Sequence, residues 1–140
     1  MVDNILDRIV VPVSGEDDAV KTAKAVAPYF NGSEIIAVYV IEKAGGAPNK
    51  APMDAAEEHG RKALDAFEEE LAEHSDKIKK EILFGSEVAD TVLKEAEDRG
   101  ATVVFVAREG GRFIRLLTGD NAISFVTKNR IPVVSLPRPE

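Results

Sequence analysis

Ile9-Val10-Val11-Pro12-Val13-Ser14-Gly15 is a β-branched run that stops at a serine and a glycine. Five apolar residues without alternation fit a strand buried on both faces, the kind found at the centre of parallel sheets. Glu16-Asp17-Asp18 follow at once, acids where a helix N-terminus accepts negative charge. Ala19, Val20, Ala23, Val26, Ala27 and Phe30 then recur at helical spacing, and Asn31-Gly32 is expected to stop the helix.

The same strand-then-helix unit repeats outward from this start. Ile35 to Ile41 is a second, nearly continuous apolar strand. Glu42 to Pro52, with Gly45-Gly46, Pro48 and Pro52, reads as a mobile surface connection. Ala56, Gly60, Ala63, Leu64, Phe67 and Leu71 mark a long amphipathic helix with an acidic outer face. Ile78 to Phe84 alternates, as an edge strand does. Ser86 is placed to cap a helix carrying Val88, Val92, Leu93 and Ala96, which Gly100 closes. Thr102 to Val106 is another central strand. A glycine-containing loop, a last helix near Asp120 to Lys128 and a final strand, Ile131 to Leu136, complete the pattern.

Strands separated by helices need crossovers, hence a parallel sheet covered on both faces. The expected fold is a three-layer α/β/α arrangement with five parallel strands in the order 3-2-1-4-5. That order puts the two most apolar flanked strands side by side in the middle and the alternating third strand at an edge. Ligands of such sheets bind beyond the strand C-termini, where the order reverses. Here that point is Val13-Ser14-Gly15 facing Ala107 to Gly111. No repeat or linker divides residues 1–140, so one domain is expected.

Composition narrows the function. The chain is 44% hydrophobic and 31% charged, an ordinary globular mixture. It has no cysteine, which excludes disulfides, thiolate metal sites and a catalytic thiol. A net charge of −7 repels nucleic acid and anionic membranes. No apolar run approaches the roughly 20 residues a membrane span needs. Met1 leads into Val-Asp-Asn-Ile-Leu-Asp-Arg without a basic then apolar leader, so the expected location is the cytoplasm.

Several segments together resemble the universal stress protein family over nearly the whole chain. They are Ile9-Val10-Val11-Pro12-Val13, Val38-Tyr39-Val40-Ile41-Glu42, Leu83-Phe84-Gly85, Arg115-Leu116-Leu117-Thr118-Gly119 and Pro132-Val133-Val134. The resemblance implies a Rossmann-like fold of the adenine nucleotide alpha hydrolase-like type and a role in the stress response. ATP-binding members of that family carry Gly-x2-Gly-x9-Gly-Ser/Thr after the fourth strand and an aspartate at the end of the first. Counted back from Gly119, the first two glycines fall on Val106 and Glu109, or with one deletion on Ala107 and Gly110. Asp120 stands at the Ser/Thr position, and Ser14 replaces the aspartate. The resemblance is therefore to the type that does not bind ATP by the usual motif.

The expected role is regulatory or protective binding, with no catalytic set and no metal. The alternative is an ATP- or AMP-binding sensor with a remodelled phosphate loop. Its site would take Val13, Ser14, Val40, Ala107, Arg108, Gly110, Arg112, Gly119, Asp120 and Asn121. There Val40 would line the adenine pocket, while Gly119 and the guanidinium forks of Arg108, Arg112 and Arg115 would meet the phosphates. The plainer reading of those arginines pairs them with Glu109, Asp120 or acids on neighbouring helices. Asp120 is itself a good N-cap and competes with a phosphate for the helix-end donors. A nucleotide hydrolase is the third reading, with only Glu109 and Asp120 to hold a metal or activate water.

Other residue types offer less. His59 and His74 lie fifteen residues apart on or beside the acidic helix, away from metal-ligand spacing, and read as solvent-exposed. Ser14 lacks a Gly-x-Ser-x-Gly elbow and a late histidine. Glu57-Glu58 and Glu68-Glu69-Glu70 are solvated helix faces. The last strand is apolar and at an edge. By resemblance it pairs with its symmetry mate, through Val133, Val134, Ser135 and Leu136, to make a homodimer; Pro132 and Pro137 bound the pairing.

Overall fold

The structure is a computed structural model, and it describes residues 4–29, 32–42, 50–74, 77–107 and 130–137. Five strands form one parallel sheet: β1 (Arg8–Pro12), β2 (Glu34–Glu42), β3 (Ile78–Gly85), β4 (Val103–Ala107) and β5 (Val133–Leu136). Their order is β3-β2-β1-β4-β5, as the apolar pattern predicts. The helices are α1 (Glu16–Val26), α2 (Lys50–Leu71) and α3 (Val88–Asp98).

The sheet has a core on each face. Val11, Tyr39, Phe105 and Leu136 point to the side covered by α1 and α2, together with Ala23, Val26, Phe67 and Leu71 of those helices. Val10, Val38, Val40, Val104 and Val106 point to the opposite side, against Val88, Val92 and Ala96 of α3. Alternate residues of β1, β2 and β4 are thus buried both ways, which is why those strands show no polar alternation. The alternating β3 is an edge. The last helix expected near 120–128 lies outside the described residues.

Helix ends depart from expectation in three places. First, α1 stops at Val26 and gives way to a 3-10 turn, Ala27–Tyr29, well before Asn31. Pro28 has no N–H to continue the ladder and crowds the preceding turn. Second, α2 begins at Lys50, so Pro52 lies within its first turn rather than in a loop. The first helical N–H groups have no intrahelical acceptor, so proline forfeits little there. Third, Glu87 rather than Ser86 is the residue before α3, and its side chain makes no capping hydrogen bond. At the other end Gly100, with φ +66°, closes α3 as expected. The Gly100 N–H donates to the Glu97 carbonyl and the Ala101 N–H to that of Ala96, the paired pattern of a left-handed C-terminal stop.

Ion pairs fasten the rim at the N-terminal ends of the strands. Glu34 accepts from Arg8 Nε at 3.1 Å and lies 3.0 Å from Lys79 Nζ. The Lys79 ammonium, seconded by the Arg8 guanidinium, holds the Glu34 carboxyl below its usual range against the opposing effect of burial.

Candidate functional site

The strand order reverses between β1 and β4, so their C-terminal ends open the crevice. Val10 pairs with Val104 and Pro12 with Val38. The same offsets put Val13 level with Ala107, and Ser14 level with Val40. The fold therefore brings these four predicted residues to one crest. It also divides them: Val13 and Ala107 belong to the α1/α2 core, Val40 to the α3 core. Val13, Val40 and Ala107 are buried, while Ser14 is half-buried. Arg108, Gly110, Arg112, Gly119, Asp120 and Asn121 lie outside the described residues.

Three further residues shape this crest. Gly15 is the N-cap of α1 in extended conformation, and no side chain bonds to it as a cap. Asp18, three residues into the turn, reaches back so that its Oδ2 accepts the Ser14 N–H at 2.8 Å. This is the reach of a capping box, displaced by one residue. The other oxygen, Oδ1, is out of solvent and has no hydrogen-bond partner among the described residues. With Glu16 and Asp17 in the same turn, the α1 end of the crevice is anionic.

The third residue is His59 of α2. Its ring lies edge-on to Tyr39, centroids 5.8 Å apart at 70°. Among the described residues, a Cβ built on Gly15 would meet only His59 Nε2, at 3.7 Å. α2 comes this close because Gly60 lies on the Tyr39 ring: a Cβ there would fall 2.5 Å from Tyr39 Cδ1. His59 is exposed, as expected, yet it stands at the crevice rather than on the far acidic face. The spacing Gly15-x-x-Asp18 was the available signal for Asp18. Nothing local flags His59; only the glycine inside the apolar stripe hints at close packing beside it. Among the described residues, no group of three or more His, Asp or Glu side chains stands close enough to hold a metal ion.

A family model described as the universal stress protein family matches residues 6–137. The chain belongs to the universal stress protein family. No curated protein sequence matches it. Among solved structures, a universal stress protein family member from Burkholderia pseudomallei is 20% identical, covers 99% of this chain and 100% of its own, and superposes with a TM-score of 0.69. The universal stress protein from Archaeoglobus fulgidus, in complex with dAMP, is 20% identical over 95% of this chain and 99% of its own, TM-score 0.63. A family protein from Arabidopsis thaliana with AMP bound is 16% identical over 94% and 92%, TM-score 0.65. At these identities the likeness speaks for the fold, and the nucleotides are those proteins' own. Among the described residues of this universal stress protein, no helix is long and apolar enough to cross a membrane.

Proposed function

We propose that this universal stress protein acts in the stress response by binding rather than by turnover, and that it does not hold ATP through the family's glycine motif. The observation that carries this reading is the Asp18 carboxylate on the Ser14 N–H. It brings negative charge to the crevice from a helix turn that already holds Glu16 and Asp17. Two like charges about 4 Å apart cost roughly 4 kcal/mol at an effective dielectric near 20, and each 1.4 kcal/mol is about tenfold in affinity. An arriving phosphate must either stay clear of this turn or be compensated by cations. Protein purified without added nucleotide tests this: mass spectrometry of the released small molecules should find no stoichiometric ATP. A full equivalent of ATP would sink the reading.

The second reading is an ATP- or AMP-binding sensor. It is favoured by the dAMP and AMP complexes of proteins with this fold. It would seat the adenine near Val13, Ser14, Val40 and Ala107, and the phosphates on Arg108, Gly110, Arg112, Gly119, Asp120 and Asn121. In both readings the chain works in the cytoplasm as one domain and as a two-fold dimer. β5 is an edge strand, with Val133 and Val134 half-buried and Ser135 exposed. Leu136 is already enclosed by its own protomer's core, so Val133 to Ser135 would carry the contact.

A further inference from the structure

The two edges of the sheet carry different side chains. Along β3, Lys79 is paired with Glu34, Lys80 with Asp65 and Glu68, and Glu81 with Arg99. Charged side chains of this kind discourage another strand from adding. β5 has no such guard. Val133, Val134, Ser135 and Leu136 carry no charge, and among the described residues no strand lies beyond them. An apolar edge left bare in this way calls for a cover.

The phase of the backbone decides what that cover must offer. The Val104 N–H donates to the Pro132 carbonyl at 2.9 Å, and Val104 lies level with Val133. Backbone groups alternate sides along a strand, so residues 132, 134 and 136 face β4. Val133 and Ser135 therefore turn their N–H and C=O groups to the open side. This outward series is short at both ends. Ile131 lies in a bend before the strand, and Pro137, next in the series, has no N–H. The edge thus offers two donors and two acceptors, all on Val133 and Ser135. Side chains alternate too: Val134 packs with the α1/α2 core and Val133 with the α3 core.

We propose that the cover is β5 of a second copy, antiparallel, with the two-fold axis passing through Val134. The inference rests on the two-fold dimer proposed for β5 and specifies its register. Only this register pairs both outward residues of each copy with both of the other. Val133 and the partner's Ser135 exchange two hydrogen bonds, and Ser135 and the partner's Val133 exchange two more. An axis through Ser135 would set Val133 against Pro137, which cannot donate. An axis through Val133 would set Ser135 against the bend at Ile131. Centred on Val134, the two Val134 side chains meet on the α1/α2 face, at the closer of the two cross-strand separations. No charge opposes a like charge across the paired strands, although the whole chain carries −7.

The test uses the full chain. It has no cysteine, so an introduced one is its only thiol. Under oxidised glutathione, Val134→Cys should form a covalent dimer on a non-reducing gel. Opposed Cα atoms of such a pair lie about 4.5 Å apart, within reach of a disulfide. Ser135→Cys should stay uncrosslinked, because the two copies of residue 135 would be roughly 9 Å apart. Ser135→Pro removes one N–H per copy from the contact and none from the bonds to β4. It should raise the dimer dissociation constant about thirtyfold, with the far-ultraviolet circular dichroism unchanged. Crosslinking through Ser135→Cys and not Val134→Cys, or an unchanged constant for Ser135→Pro, would overturn the register while leaving a β5 dimer. A wild-type chain that sediments as a monomer, or as a dimer that neither cysteine crosslinks, would overturn the β5 dimer and this inference with it.

Discussion

Gly60→Ala is the most informative single change in the frame of this protein. Gly60 lies within α2, where alanine is favoured over glycine by about 1 kcal/mol. Judged by helix propensity alone, the variant should be more stable. The packing says otherwise. The new methyl would fall 2.5 Å from Tyr39 Cδ1 and 3.0 Å from Cε1. Ordinary carbon contacts are about 3.5–4.0 Å, so ring or helix must give way by about 1 Å. Tyr39 is 6% exposed and packed in the core, so it has no free direction in which to swing. Overpacking of this kind costs about 1–3 kcal/mol. The net expectation is a loss of about 1 kcal/mol, a drop in melting temperature of roughly 4 °C for a chain this size. Urea denaturation should be run on Gly60→Ala, Tyr39→Leu and the double variant. With the ring gone, the alanine should stabilise, giving a coupling of about 1–3 kcal/mol between the two sites. The His59 ring resonances should shift in Gly60→Ala, because the same contact sets the His59–Tyr39 geometry. A Gly60→Ala protein more stable than wild type, with coupling below about 0.5 kcal/mol, would refute the packing argument.

Other perturbations probe the crest, the dimer and the rim. Asp18→Ala leaves the Ser14 N–H without its acceptor and should cost about 1–2 kcal/mol, whereas Asp18→Asn keeps an acceptor and should stay within about 0.5 kcal/mol of wild type. Equal urea midpoints for Asp18→Ala and wild type would remove that bond from the account. Val134→Lys should convert the proposed two-fold dimer to monomer in sedimentation; a variant that stays dimeric excludes this strand as the contact. The Glu34 carboxyl is held below the usual carboxylate range, so its contribution is present above that range and fades as pH falls through the lowered value in the folded state. Its side chain is 26% exposed, which limits the effect to about 1 kcal/mol or less. Glu34→Gln should therefore flatten the acid limb of stability against pH below about 4.5, and an unchanged limb would count against the pairing.

The strand order was legible because burial on both faces leaves a plain signature. Ile9 to Val13, Ile35 to Ile41 and Thr102 to Val106 lack polar alternation, and that alone ranks them as central. The edge position of β3 was legible for the opposite reason. Helix ends were less so, because the apolar stripe continues past the true boundary. Phe30 keeps the period of α1, yet Pro28 ends the helix first. Pro52 reads as a breaker although a first turn tolerates it. Ser14 and Val40 were proposed for the site from strand ends and from the resemblance, and the strand register puts both at the crest. Asp18 was passed over because three successive acids look like a generic helix start, and its reach to the Ser14 N–H depends on the turn at Gly15. His59 was read as an exposed residue of the long helix, and it is, but its position at the crevice could not be read. Its place at the crevice follows from α2 settling on Tyr39 through Gly60, a contact between elements about twenty residues apart in sequence.

The most direct test is calorimetric titration of ATP, ADP and AMP, with and without magnesium, into protein stripped of small molecules. The account predicts no micromolar binding of ATP in either condition, because the glycines of the binding type are degraded and the α1 turn is anionic. A micromolar, stoichiometric heat of ATP binding, lost in a protein carrying Arg108→Ala and Arg112→Ala, would contradict it and make the nucleotide-sensor reading the correct one.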